Sequence, residues 1–119
     1  MDPQVEIRLG ETTVPVGGTL TVVGRPVEIG LPYFYLYIDS TKIAKATYNG
    51  EVSLREMPER AFEIIAVSST ISQVEITLRA LTAGSFHVCI GATGEIRSND
   101  GVIWGGGFSE SVPVAVLGQ

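Results

Sequence analysis

The sequence predicts a single all-β domain, built as an antiparallel sandwich over residues 1–119. Apolar and polar residues alternate with a period of two in segment after segment, which is typical of strands with one buried face. Turn residues separate these segments, and no segment has a convincing helical period. A chain of 119 residues with 45% hydrophobic composition has the size and the core material of one domain. Seven to eight short strands of this kind favour a sandwich or a barrel.

The first strands of the domain follow directly from this alternation. Val5–Leu9 is the first, and Leu20–Val23 begins the second. The apolar parity changes after Gly24-Arg25-Pro26, which predicts a bulge or a strand that bends between sheets. Gly30-Leu31-Pro32 then predicts a break before the next strand.

The strongest strand signal is the segment Tyr33–Asp39, in which every second residue is a tyrosine. The alternation predicts an apolar inner face and an aromatic outer face. The inner positions are Phe34, Leu36 and Ile38, and the outer positions are Tyr33, Tyr35 and Tyr37.

The rest of the chain continues the pattern. Asn49-Gly50 is a strong hairpin signal after a polar strand, and Pro58 interrupts any helix in the segment that follows, which predicts a short edge strand and a loop. The glycine-rich stretch from Gly94 to Gly107 predicts a long loop that contains Trp104. The remaining predicted strands include Lys42–Tyr48, Phe62–Ala66, Val74–Leu78, Phe86–Ala92 and Val112–Val116.

Charge and cysteine content limit the function classes. The net charge of −5 argues against nucleic-acid binding by phosphate neutralisation and against docking on an anionic membrane. No apolar stretch is long enough to insert into a membrane as a spanning segment. Cys89 is the only cysteine, so the domain has no internal disulfide. No signal peptide precedes the first strand, so we expect either one domain of a larger secreted protein or a protein that needs no export.

Two stretches resemble a known family. The first is Val16–Val22 followed by Leu36-Tyr37-Ile38-Asp39. The second is Val74–Ile90, in which Leu78–Gly84 leads into Phe86 and Val88. Together they are similar to the immunoglobulin-like domains of bacterial and archaeal surface proteins, particularly the cell-adhesion-related type. The resemblance implies an immunoglobulin-like sandwich and a role in adhesion or spacing. It implies no catalytic residues.

Residues with catalytic or metal-binding chemistry are few. His87 and Cys89 share the outer face of one predicted strand, but regular strand geometry does not favour a direct hydrogen bond between them. The segment Asn99-Asp100-Gly101 offers oxygen ligands for a weak calcium site, although Asp-Gly is first a turn signal. We therefore assign no catalytic residue, no metal site and no cofactor.

The aromatic residues are the candidate partner-binding residues. Tyrosine and tryptophan provide rigid contact area with a polar tip. Tyr33, Tyr35 and Tyr37 form a tyrosine stripe, which is either a binding platform or is covered by neighbouring side chains. Trp104 is either a recognition residue in an end loop or a plug over the core. Exposed and coplanar rings would favour a carbohydrate platform. The candidates are Tyr33, Tyr35, Tyr37 and Trp104.

The sequence therefore leads to three functional hypotheses. The first is a non-catalytic interaction or spacer module of a prokaryotic surface protein, located outside the cell, with a protein partner or neighbouring domains. The second is a structural protein of a phage virion surface or tail. The third is a carbohydrate-binding module that uses its exposed aromatic residues to bind polysaccharide.

Overall fold

The computed structural model describes residues 4–55 and 61–118, and every regular element in these two ranges is a β-strand. The strands are β1 (Val5–Leu9), β2 (Thr13–Pro15), β3 (Thr19–Pro26), β4 (Gly30–Ile38), β5 (Thr41–Thr47), β6 (Val52–Leu54), β7 (Phe62–Ser69), β8 (Val74–Ala80), β9 (Gly84–Ser98), β10 (Gly101–Phe108) and β11 (Val112–Leu117). They form two sheets in a sandwich without a disulfide, so the predicted all-β sandwich is confirmed, although the described ranges contain eleven strands in place of the predicted seven to eight. No helix in the described ranges is suited in length and hydropathy to span a bilayer.

The smaller sheet has four strands in the order β1-β3-β8-β7, and every pair in it is antiparallel. Its two central strands alternate between inward apolar residues and outward residues that are polar except for Val23. In β8, for example, Val74, Ile76 and Leu78 are buried, whereas Glu75 is exposed and Thr77 is half-buried. This alternation is the predicted one.

The larger sheet has seven strands. Its main path runs β2-β11-β9-β4-β5-β6, and β10 pairs with β9 beside this path. All pairs are antiparallel except β2 with β11, which is parallel. Strand β9 is long enough to hold β10 and β11 one after the other along the same edge, with β4 along its other edge.

One continuous apolar core lies between the sheets. The inward residues of the tyrosine-rich strand β4 are almost completely inaccessible to solvent, as predicted. They pack with the inward residues of the opposite sheet in one cluster, so both sheets depend on the same core. The largest fully buried side chains are Phe34, Leu36, Ile38, Ile43, Ile76, Leu78 and Ile90.

The predicted bulge or bend at Gly24-Arg25-Pro26 is wrong, because these residues continue β3 in an unbroken register with β1. The chain passes to the other sheet only after Pro26. Strand β3 belongs to the smaller sheet and β4 to the larger one. Glu28, at the turn between them, has a φ of 60°. The predicted break at Gly30-Leu31-Pro32 is wrong, because these residues belong to β4. Their pairing with β9 shifts register between Gly30 and Tyr33, so an irregularity replaces the expected break.

The predicted long loop from Gly94 to Gly107 is also wrong. These residues form a hairpin of β9 and β10, with Asn99-Asp100 as its two-residue loop and Gly101 at a φ of 123°. The run of three glycines indicated a loop, but here it continues a strand. Strand β2 was not predicted either, because it has only three residues and ends at Pro15.

Ser109 connects β10 to β11 where the edge of β9 passes from one to the other. Its N–H donates to the carbonyl of Ile90, and the N–H of Ile90 donates to the Ser109 hydroxyl. That hydroxyl in turn donates to the carbonyl of Glu110. A buried serine thus continues the hydrogen bonding of β9 through the interruption between the two strands.

Candidate partner-binding face

The outer side of the larger sheet carries a group of aromatic residues that we call the aromatic face. It is formed by β4, β5, β9 and β10, because residues paired across strands project to the same side. Tyr35 pairs with Gly91, and Gly91 pairs in turn with Phe108. The members of the aromatic face are Tyr33, Tyr35, Tyr37, Lys42, Lys45, Gly91, Thr93, Trp104 and Phe108.

Trp104 lies at one end of the aromatic face, against Tyr33. The two ring centroids are 5.6 Å apart and the ring planes are inclined by 51°. Tyr48 meets the same tyrosine edge to face, with centroids 6.5 Å apart. Trp104 remains 61% exposed. The condition set for a flat carbohydrate platform, coplanar rings, is therefore not met at this end.

Tyr37 and Phe108 meet at the other end of the aromatic face. Their centroids are 5.5 Å apart and their planes are inclined by 65°. Both rings lie over Gly91, where a Cβ atom would come within 3.1 Å of Tyr37 and 3.2 Å of Phe108. The glycine therefore leaves the room in which the two rings approach each other.

A groove runs between the two groups of rings. Its volume is about 300 Å³, and its floor includes Gly91, Thr93 and Gly106. The hydroxyls of Tyr35 and Thr93 share a hydrogen bond of 3.5 Å across it. The floor stays low because a side chain at Gly106 would collide with the backbone of Ala92. The groove therefore combines apolar walls with a few hydroxyl groups, which is the composition of a recognition site.

Both lysines of the chain lie beside the tyrosine stripe. The Nζ atom of Lys42 is 4.7 Å from the centroid of the Tyr35 ring, and that of Lys45 is 5.0 Å from the Tyr33 ring. Cations at this distance are attracted to the negative face of an aromatic ring. Two positive charges therefore lie beside the tyrosines, whereas Glu95, which pairs with Trp104, places a negative charge at the other side of the aromatic face.

The tyrosine stripe is partly desolvated. Burial raises the pKa of the Tyr37 phenol, and the neighbouring Tyr35 and Cys89 raise it further. All three stripe tyrosines are half-buried. The Tyr37 phenol therefore stays neutral at physiological pH and serves as a hydrogen-bonding group with an apolar surround.

The structure brings all four candidate residues onto one face. The alternative in which Trp104 plugs the core is wrong, because the indole lies on an edge strand and is mostly exposed. Sequence reasoning missed Phe108, Lys42 and Lys45. Phe108 follows Trp104 with a period of two through Gly106, so a strand interpretation would have placed both rings on one side. The lysines depend on the register of β4 and β5, which the sequence does not reveal.

His87 and Cys89 do lie on the outer side of β9, but each has a different neighbour. The Nδ1 atom of His87 is 3.8 Å from Oδ1 of Asp39, and the Cys89 thiol donates to the carbonyl of Ser109 at 3.5 Å. Asn99 and Asp100 form the hairpin loop. Among residues 4–55 and 61–118, no three His, Cys, Asp or Glu side chains are grouped to hold a metal ion.

Comparisons with known proteins give no family assignment. No protein-family model matches the chain, and a search of curated proteins gives no significant match.

Proposed function

We propose that the chain is an immunoglobulin-like interaction module that binds a protein partner through its aromatic face. The observation that carries this proposal is the grouping of three tyrosines, Trp104 and Phe108 on the outer side of one sheet, with two lysines beside them. Tyrosine, tryptophan and phenylalanine are enriched in protein interfaces, whereas an outer sheet face needs only polar residues to be soluble.

The strand order supports the immunoglobulin-like part of the proposal. Variable-type immunoglobulin domains have one sheet in the order A-B-E-D and another that extends G-F-C by C′ and C″. The orders β1-β3-β8-β7 and β11-β9-β4-β5-β6 follow the same succession of strands. This agreement is in keeping with the adhesion or spacer role that the resemblance to prokaryotic surface domains implies.

The two lysines beside the tyrosines support an acidic partner. The lysines are held beside the rings, so a carboxylate near Lys42 or Lys45 would add a charge pair to the aromatic contacts. The inclined rings support a shaped protein surface with protruding side chains, more than the flat face of a sugar.

Selection from a random peptide library tests the proposal. Trp104 is the only tryptophan, so its fluorescence reports directly on the aromatic face. We expect selected peptides to be rich in acidic and aromatic residues and to shift the Trp104 emission to shorter wavelength. The substitution Tyr35→Ser should weaken their binding at least about tenfold, as expected for a central interface aromatic.

Matched variants on the other sheet serve as controls. Thr77→Ser changes a half-buried outward residue of a central strand, and we expect it to leave binding unchanged. Lys42→Glu should weaken binding, whereas Arg25→Glu, with the same change in charge, should not. The proposal would be overturned if the selected peptides bound the Tyr35→Ser and Lys42→Glu variants with unchanged affinity. A Trp104 shift on adding polysaccharide, with no peptide selected, would favour carbohydrate binding in its place.

A further inference from the structure

Strand β10 has one edge bonded to β9 and one edge with no strand partner in the described ranges. Ser98 and Gly101 flank the two-residue hairpin loop and form a hydrogen-bonded pair, and hydrogen-bonded pairs alternate along the ladder from there. Every second residue of β10 therefore carries its N–H and C=O groups on the outer edge. These residues are Val102, Trp104, Gly106 and Phe108.

The other sheet edges of the described chain carry features that discourage pairing with another chain. Strand β1 has charged side chains at Glu6 and Arg8, and β7 has Glu63. Strand β2 has three residues and ends in Pro15, and β6 also has three residues. Short length, charge and proline are the usual protections of an edge strand. Strand β10 has eight residues, no charge and no proline.

We propose that β10 pairs antiparallel with β10 of a second copy of this chain, about a two-fold axis at Gly105. This register joins residues that both present their N–H and C=O groups on the outer edge, so each such pair exchanges both of its hydrogen bonds. The opposed residues are Val102 with Phe108, Ile103 with Gly107, and Trp104 with Gly106.

The side-chain sizes along β10 fit a copy of itself. The half of the strand before Gly105 carries large apolar residues that are more than half exposed. The half after it begins with two glycines. An antiparallel partner therefore sets Trp104 opposite the bare backbone of Gly106, and Ile103 opposite that of Gly107. No like charges meet across the pair, although each chain has a net charge of −5.

The fold of a single copy accounts for the glycines themselves. A side chain at Gly106 would collide with the backbone of Ala92, and one at Gly107 would come within 2.6 Å of the Gln4 side chain. Contacts within one molecule therefore explain why glycines follow Gly105. The proposed dimer pairs Ile103 and Trp104 of one copy with these glycines of the other.

The two-fold axis stands perpendicular to the joined sheet, because opposed residues project to the same side. Both aromatic faces of the dimer then lie side by side on one surface. A partner with two copies of its own site would bind both faces with increased avidity. Stable protein–protein interfaces bury roughly 1,200–2,000 Å², and a single pair of eight-residue strands is a small contact by comparison. We therefore expect a concentration-dependent dimer.

Sedimentation equilibrium of the chain alone tests the dimer without any partner, so its outcome is independent of the proposed binding function. We expect the average mass to rise from monomer towards dimer between about 10 μM and about 1 mM. Val102→Lys should weaken dimerisation at least about tenfold, because it places a charge opposite Phe108 of the second copy. Ile65→Lys also replaces an exposed β-branched residue by lysine, but on β7, and should leave dimerisation unchanged.

Disulfide trapping in a Cys89→Ser background tests the register. Two cysteines at position 105 would face each other as a non-hydrogen-bonded pair with Cα atoms about 4.5 Å apart, within disulfide range. A Cβ at Gly105 meets only the flexible Ile96 side chain within 4 Å. Gly105→Cys should therefore cross-link readily. Val102→Cys should not, because the two copies of residue 102 are about 20 Å apart in this register.

Two results would overturn the proposal. One is a monomer at every concentration together with no cross-linking at position 105, which would leave the edge of β10 for the strand of a different protein. The other is equal cross-linking at positions 105 and 102, or equal weakening by Val102→Lys and Ile65→Lys. Thermal unfolding of each variant shows whether a loss of dimer reflects a loss of fold.

Discussion

The two sheets share one core but present opposite chemistry on their outer sides. The smaller sheet exposes polar and charged residues on its central strands, such as Thr19, Glu75 and Arg79. The larger sheet carries tyrosines on the corresponding central strand β4, and they are half-buried by other outward residues. Contact with water is enough to explain the polar outer side of the smaller sheet. It does not explain the tyrosines on the outer side of the larger sheet, and we infer that these residues bind a partner.

Both outer faces depend on the inward residues of the strands that carry them. Leu36 and its neighbour Tyr35 lie on opposite sides of β4, and Leu36 is inaccessible to solvent. Leu36→Asp should abolish cooperative unfolding, because an unpaired buried charge costs more than about 4 kcal/mol. Urea titration followed by circular dichroism measures this effect.

Two further aspartate variants sharpen that result. Tyr35→Asp, on the outer side of the same strand, should keep a cooperative transition. Leu78→Asp, at an equally buried position of the smaller sheet, should be as damaging as Leu36→Asp. A wild-type midpoint for Leu36→Asp would show that the inner and outer sides of β4 are assigned wrongly.

The aromatic face should show measurable coupling between its own side chains. We expect a double-mutant cycle of Tyr37→Ala and Phe108→Ala to give a coupling free energy of about 0.5–1.5 kcal/mol, as for other edge-to-face pairs. About 1 M NaCl should change it little, because the contact is apolar. Strictly additive effects of the two substitutions would contradict the ring contact seen between them.

The desolvation of the stripe should appear as a stability change at high pH. Because burial raises the pKa of Tyr37, the folded chain keeps the phenolic proton at a pH where the unfolded chain has lost it. The stabilisation that comes from the protonated Tyr37 phenol is fully present below a pH of about 10, and it is lost as the pH rises through the raised pKa. Between about pH 8 and about pH 11, Tyr37→Phe should therefore lose less unfolding free energy than the wild type. An equal loss would contradict the desolvation.

The smaller sheet should show the weakest coupling. Arg79 and Glu63 form an ion pair on its outer face at 3.4 Å, with both side chains about half exposed. A double-mutant cycle of Arg79→Ala and Glu63→Ala should give a coupling free energy below about 0.5 kcal/mol, because exposed ion pairs are screened by water and salt. About 1 M NaCl should abolish this coupling. A coupling as large as that of the Tyr37–Phe108 pair would erase the energetic difference between the two faces.

The sequence is sufficient to predict features that depend on a repeated local pattern. The alternation in Tyr33–Asp39 predicts which side chains are buried, and the Asn49-Gly50 signal predicts the hairpin of β5 and β6. In each case the residues within one strand or turn carry the whole signal.

Other features depend on contacts that only the folded chain defines. The sequence pattern does not reveal the strand Gly101–Phe108, because its three consecutive glycines weaken a strand in isolation. At Gly106 the close backbone of Ala92 leaves no room for a side chain, and only the folded chain shows this contact. Lys42 and Lys45 reach the tyrosines only through the register of β4 with β5, which contains a shift after Leu36. The candidate face was therefore half predicted: its tyrosines and tryptophan follow from the sequence, and its lysines and Phe108 do not.

The parallel pairing of β2 with β11 has a mechanical consequence. It joins a strand near the start of the chain to the last strand, through bonds such as that from the Val16 N–H to the Leu117 carbonyl. Tension applied to the two ends of the described chain pulls β2 and β11 in opposite directions along their length. The hydrogen bonds between β2 and β11 are then loaded together in shear. They must therefore break together before the two strands can separate.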